Sequence, residues 1–424
     1  MKQTSLLGIA NKAATDKTYR FRNLFGLLTA EFLFLCWDGI NMKASPGVDR
    51  IDAKAYEGNL IGNIQQLAQQ VKEKTYRAKL ILRKWIPKTG GKLRPLGIPI
   101  IADKLLQRAV AKILEAIYEQ DFLACSYGYR PRTGAHKAVE ALTCELKSRK
   151  YHWIVEADIK GYFNAIDHDL LLEMLNKRID DKPFMNLIRK WLKAGILETD
   201  GQVIHPITGS PQGGIASPIL SNIYLHYVLD VWFEDVVRAH CRGDVYLCRY
   251  ADDFVCAFQM REDAQRFYSA LKPRLGRFGL EVAEDKTQMM EFSHMKALSK
   301  TKFDFLSFEF RWSLNRWRKP VIKRRTSRDK FRASIGNFKI WFKKHCVLPK
   351  QILFAKLNRK LNGYYNYYGV TGNARSLNNF AVQVRCLLLK WLNKLSQRKS
   401  YNWTGFRDLM KDFEITKPRI RHAL

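Results

Sequence analysis

The sequence predicts an α+β fold, on three observations. Apolar runs of strand length, such as 152–159 and 245–258, recur through the first 310 residues. Between them lie longer segments whose apolar residues return every three or four positions, the period of a helix. Beyond residue 310 helical periodicity dominates, together with a dense positive charge.

Each element has its own signal. Phe21, Leu24, Leu27, Leu28, Phe32 and Leu35 predict a helix over 17–38, ended by the turn at Ser45-Pro46-Gly47. A second helical segment spans 51–74. Strands are expected at 78–86 and 93–99 around a basic Gly-containing turn, 87–92. Leu106, Val110, Ile113, Leu114 and Ile117 mark an amphipathic helix over 103–118. A strand at 152–159 ends in Glu156-Ala157-Asp158, and a helix starts near His168 with Asp167 or Asp169 at its cap. Helices follow at 182–194, 217–228 (after the Gly-rich loop 209–214) and 264–278. Strand segments are expected at 280–287 and 303–310. A basic helix at 351–365 carries Leu353, Leu357, Leu361 and Tyr364 on one stripe.

At 424 residues the chain has material for two or three domains. No apolar run reaches the ~18 residues a membrane helix needs. The eight cysteines are scattered without a C-x-x-C pair, which disfavours a zinc site or disulfide framework and fits reduced thiols in cytoplasm. The net charge is +33, and residues 311–424 hold 28 Lys and Arg against four Asp and Glu. That density, interleaved with Trp, Tyr and Phe, points to a polyanionic partner and a nucleic-acid face, not a membrane.

The chemistry centres on Tyr250-Ala251-Asp252-Asp253, two carboxylates between two apolar runs. Neighbouring side chains in a strand face opposite ways, so both acids reach one ion only if the chain turns there. A tight hairpin with acids at its tip suits a hard divalent cation, although an Asp-Asp pair also makes an ordinary turn. Asp158, at a strand end, is a third ligand candidate or a helix cap. Lys88, Lys92 and Arg94 could meet a triphosphate or simply face solvent. Pro211-Gln212-Gly213-Gly214 could bring backbone close to a ligand or merely cap the next helix.

Their order is more telling than any one of them. Ile86-Pro87-Lys88 to Leu96-Gly97-Ile98-Pro99, Ser126-Tyr127-Gly128-Tyr129-Arg130-Pro131, Glu156 to Phe163, Pro211-Gln212-Gly213-Gly214, Tyr250 to Asp253, and Gly279-Leu280-Glu281-Val282 to Lys286 follow in series. In this order they resemble the reverse transcriptases encoded by bacterial group II introns. Leu361 to Gly369 with Arg375-Ser376-Leu377 is similar to the thumb and maturase region of that family. The resemblance runs from about Lys17 to Ile420.

The resemblance implies a right-hand polymerase fold. A helical N-terminal extension and the start of the fingers would occupy 1–65, fingers and palm 66–310, a helical thumb/maturase domain 311–395, and a short basic segment 396–424. It implies Asp158, Asp252 and Asp253, with the Ile159 carbonyl, as ligands of two Mg²⁺ ions, Mn²⁺ being an alternative. Phe163 would exclude a 2′-hydroxyl, and Lys88, Arg94, Gln212 and Lys286 would serve the incoming nucleotide. Lys323, Arg324, Arg325, Lys356, Arg359, Lys360, Tyr364, Tyr365 and Arg375 would bind nucleic acid.

The implied activity is RNA-directed DNA synthesis from a primer 3′-hydroxyl with dNTPs, in bacterial cytoplasm. The implied partners are an RNA template, a DNA or RNA primer and a structured RNA, either a group II intron or a noncoding RNA of its own. Two alternative roles remain open at this point: a domesticated relative in phage defence or linked to CRISPR, and a splicing maturase whose polymerase activity is incidental. Two departures stand out. Ser307 replaces the usual Gly after the palm, and no His- and Cys-bearing endonuclease module is expected after Ile420.

Overall fold

The computed structural model of the chain describes residues 5–87, 93–209, 213–394 and 400–423. Three sheets and their flanking helices form an α+β architecture. The first sheet joins β1 (Ile81–Pro87), β2 (Leu93–Ile98), β4 (Ile196–Leu197) and β5 (Val203–Ile204) in the order β2-β1-β4-β5. The central sheet joins β3 (Trp153–Asp158), β6 (Val245–Tyr250), β7 (Asp253–Phe258) and β8 (Gln288–Glu291) in the order β6-β7-β3-β8, all antiparallel. A third sheet, β11-β10-β9, combines β9 (Phe303–Phe305), β10 (Phe308–Leu314) and β11 (Pro320–Thr326).

The central sheet is buried on both sides, so its strands read as nearly continuous apolar runs. Val155, Ala157, Phe254, Cys256 and Phe258 face one core, built around the helix Ile101–Tyr118. Ile154, Val255 and Ala257 face a second core, formed with the helix Ala135–Lys147, the third sheet and the C-terminal helices. Period-two alternation thus assigns Asp158, Glu156 and Asp253 to the face of the second core.

Capping follows the sequence where a signal exists. Asp167 accepts from Leu170 N at 2.9 Å to start the helix His168–Asn176. Asp181 accepts from Phe184 N at 3.0 Å ahead of Pro183.

Other expectations fail for tertiary reasons. The predicted helix over 17–38 is confined to Ala30–Trp37, started by the Thr29 cap, because Phe21 is drawn into a bridge with Ile179 and Arg22 pairs with Asp180. An unpredicted helix, Leu6–Thr15, precedes it. Segment 51–74 splits into Ala53–Glu57 and Leu60–Lys72. Around 280–287 only Val282 pairs, with Ile159, and the strand itself comes later as β8. The break expected at 311 falls inside β10, and the helices of that region begin at Arg328.

Candidate active site

In the β3–β7 register Asp158 stands directly opposite Asp253. Side chains so placed have Cβ atoms roughly 4.5–5.5 Å apart, and like charges there repel. Tyr250 pairs with Asp253, which leaves Ala251 and Asp252 as the two turn residues between β6 and β7. Ala251 holds a left-handed φ of 56° and is buried. This backbone turn brings Asp252 beside Asp158 and Asp253.

Electrostatics record the crowding. Burial, then Asp158, Glu156 and Asp252, push the Asp253 carboxyl up to about 8. Asp252 is raised by burial and Asp158, partly offset by Arg94 and Lys286. Glu156, two residues before Asp158 on the same face, is pushed to about 7 by burial, with Asp304 and Asp158 adding to it. The Lys286 ammonium pairs with Asp158, and that contact raises the lysine's own pKa.

Among the described residues, no three Asp, Glu, His or Cys side chains are gathered closely enough to cage an ion alone. The donor chemistry nevertheless fits a divalent cation: hard oxygens on one face, where burial and neighbouring carboxylates raise Asp252, Asp253 and Glu156. Ile159, which follows Asp158, bridges Val282 and has a buried side chain.

A buried network that sequence reasoning missed holds the turn. Arg249, fully buried, donates through Nη1 to the Ala251 carbonyl at 3.2 Å and through Nε to Asp230 at 2.6 Å. Its Nη2 donates to Ser126 Oγ at 2.7 Å. Asn222 accepts from Arg249 and donates to the Gly128 carbonyl at 2.7 Å. Asp230 lies in a π-helical turn, His226–Asp230, that continues the helix Ser217–Leu225. At Gly128 a Cβ would lie 2.5 Å from Ala251 N, so the 126–129 loop seats on the Ala251–Asp252 turn only with glycine at 128. The one signal available was an Arg inside an otherwise apolar strand.

The nucleotide residues surround this face unevenly. Phe163 is buried in the short helix Tyr162–Ala165, which begins after left-handed Gly161, and its ring meets Tyr129 edge-on at 6.5 Å. Arg94 is exposed on β2, and its charge reaches Asp252 and Tyr129. Lys88 and Gln212 lie outside the described residues. Gly213, just after Gln212, packs on β2: a Cβ there would meet the Gly97 carbonyl at 2.3 Å.

The nine nucleic-acid candidates divide in two. Lys356, Arg359 and Arg375 are exposed, while Lys323, Arg325 and Lys360 are half-buried. Arg324 is instead 3% exposed and donates to Thr143 Oγ1 and the Thr371 carbonyl. Tyr364 and Tyr365 are also core residues, Tyr364 stacking on Phe380 at 3.6 Å. These three are corrected from surface to interior. Strand alternation turns Arg324 inward beside Phe310, and the tyrosine stripe is the packing face of its helix.

The reverse transcriptase (RNA-dependent DNA polymerase) family model matches residues 86–310, over half the chain, with this face inside it. The chain belongs to the reverse transcriptases. It is an RNA-directed DNA polymerase of α+β polymerase fold, and its partners are nucleic acids, an RNA template among them. It is 31% identical to the group II intron-encoded protein LtrA of Lactococcus lactis over 77% of this chain and 67% of that protein, which shows the intron-encoded branch of the family. Protein YkfC of Escherichia coli is 33% identical over 58% of this chain and 73% of its own. A solved telomerase from Candida albicans overlays loosely, with TM-score 0.46 and 12% identity over 86% of this chain and 66% of that one. No helix of the described residues is long and apolar enough to cross a membrane.

Proposed function

We propose that this polymerase extends a primer 3′-hydroxyl on an RNA template at the Asp158–Asp252–Asp253 face, and that it works with a group II intron RNA in splicing and mobility. The observation that carries the first part is the register placing Asp158 opposite Asp253, with Asp252 in the adjoining turn. These three carboxylates and the Ile159 carbonyl would hold two Mg²⁺ ions, with Mn²⁺ able to replace them. Bound there, the metal supplies Lewis-acid stabilisation of the charge that develops in phosphoryl transfer.

The chain's own residues supply position and selection. Arg94, with Lys88 and Gln212, meets the triphosphate through charge-assisted bonds. The Phe163 ring fills the space a ribose 2′-hydroxyl would need and so rejects rNTPs by a clash. Lys286 offsets the charge of Asp158 as the substrate arrives. Exposed Lys356, Arg359 and Arg375 give the basic region its contact with RNA phosphates.

Primer extension tests the chemistry. Extension should require dNTPs and a divalent cation and stop with a chelator. Phe163→Val should admit rNTPs while retaining dNTP use, and unchanged discrimination would remove Phe163 from the gate. Sequencing RNA that copurifies with the full chain tests the partner: a folded intron RNA should dominate, and a random transcript pool would contradict the intron role.

A further inference from the structure

The third sheet continues the carboxylate side of the molecule. The Leu306 backbone amide, in the β9–β10 turn, lies beside Asp253 and offsets part of that carboxyl's upward shift. Asp304 lies beside Glu156 and pairs across the strands with Glu309, and Glu309 in turn stands opposite Arg325. Arg311 and Lys323 form the next pair along this face, while Phe308, Phe310 and Trp312 alternate into the core. Glu309 is the acid at the edge of the cluster, and Lys302 already neutralises it at 2.5 Å.

On that face lies a pocket of about 230 Å³ lined by Arg311, Arg325, Arg328, Arg332 and Ser376, with Glu309 at its edge. Arg375 is close enough for its charge, with that of Arg311, to add to burial in lowering the Arg325 pKa. None of these five arginines makes an ion pair with a carboxylate of the described residues. Arg311 Nε and Arg325 Nε are buried without a hydrogen-bond partner among those residues. Buried donors of this kind normally find an acceptor.

Two helices also begin here, Arg328–His345 and Ala374–Lys394. Their starts are pinned together by Asn373, which accepts from Thr326 N and donates to Thr326 Oγ1, each at 3.0 Å. Helix N-termini add partial positive charge. Five unpaired guanidinium groups crowded at two helix starts are a site built for a polyoxyanion.

We propose that this arginine pocket binds one backbone phosphate of the template–primer duplex and so fixes the duplex against the thumb side of the carboxylate face. The proposal rests on the polymerase reading above and adds a subsite to it. Counting along β10 at ~3.4 Å per residue, the pocket lies roughly 10–17 Å from the Leu306–Ser307 turn. At ~3.4 Å per nucleotide the bound phosphate falls about three to five nucleotides from the primer end.

The test uses the full chain and an RNA–DNA hybrid carrying one neutral methylphosphonate linkage, moved step by step along each strand. One linkage, about three to five nucleotides from the primer end, should weaken wild-type binding about tenfold. The variant Arg311→Gln/Arg325→Gln should bind the unmodified hybrid more weakly, flatten its log–log salt slope by about one, as the loss of one phosphate contact requires, and lose sensitivity to that linkage. A scan that looks the same in wild type and variant overturns the proposal.

If the double variant melts well below wild type, Arg325→Lys replaces it. It keeps the charge but not the two-pronged fork, and should retain the salt slope while losing part of the linkage effect. Millimolar inorganic phosphate is the second arm: a raised melting midpoint with a flat linkage scan would assign the pocket to free anions and overturn the backbone assignment. The scan reads binding alone, so a wild type that binds position-specifically but makes no cDNA contradicts the polymerase reading and not the pocket.

Discussion

Asp253 is a residue at which folding and the proposed metal binding would be coupled. Its folded-state pKa, about 8, lies far above the ordinary 3.8 because burial and three carboxylates disfavour its charge. The folded protein therefore binds this proton more tightly than the unfolded chain does. The stabilising contribution is complete below about pH 4 and is lost as pH rises through about 8. Metal-free protein should lose thermal stability over that window, and a divalent cation should restore it. Apparent Mg²⁺ affinity should tighten as pH rises toward 8 and then level off. A metal affinity flat from pH 5 to pH 8 would contradict this. Gly128 is a second such residue. Gly128→Ala drives a Cβ into Ala251 N, a backbone atom that cannot swing away, so the variant should lose about 1–3 kcal/mol and most primer extension. Wild-type activity in that variant would mean the loop does not set the turn.

Ser307 belongs to the same scale. Leu306 and Ser307 both take left-handed φ, 50° and 68°, in the two-residue β9–β10 hairpin. Glycine meets that demand without strain, which gives the family's usual residue a physical reason. Here the serine hydroxyl lies beside Tyr368 and partly offsets the burial that raises that phenol's pKa.

At the scale of elements, the Arg249–Asp230 pair joins the β6–β7 hairpin to the π-helical turn and the 126–129 loop. Both partners are 0% exposed, so removing one strands the other's charge in the interior. Arg249→Met should cost about 3–5 kcal/mol, and adding Asp230→Leu should recover much of it. Thermal or urea unfolding of the two variants checks this, and a double variant no better than the single would refute the pairing account. Elements with local signals were legible: the Asp167 cap, the apolar stripe of Ile101–Tyr118, and the Asp-Asp turn between two apolar runs. Residues 17–29 were not, because their helical spacing is overridden by the Phe21–Ile179 bridge and the arginine contacts. The π-helical turn was invisible too, since its reason is Asp230 reaching an arginine 19 residues away.

For the whole molecule, two cores meet at the central sheet, and the carboxylates lie where that sheet opens toward the basic helices. Charge density alone marks a basic region but not which of its residues face outward. Arg324 counts toward the +24 of residues 311–424, yet it spends its hydrogen bonds on Thr143 and Thr371 inside the fold. Tyr364 and Tyr365 look like a stacking platform in sequence and form the seam with Phe380 in three dimensions. Only strand register and helix packing, both long-range, separate such residues from their exposed neighbours. The stretch around His422 is likewise placed by distant partners, with His422 stacked on His136 at 4.0 Å and bridged to Val370.

The central claim is that Asp158, Asp252 and Asp253 form one catalytic face for RNA-templated DNA synthesis. Its most direct test is primer extension by wild type and Asp252→Ala on the same RNA template, with RNA affinity measured in parallel. Wild type should yield cDNA, and the variant should yield none while binding RNA within about twofold, because the lost carboxylate touches no phosphate-binding surface. A wild type without cDNA, a variant that still extends, or a matching collapse of RNA binding would contradict the account.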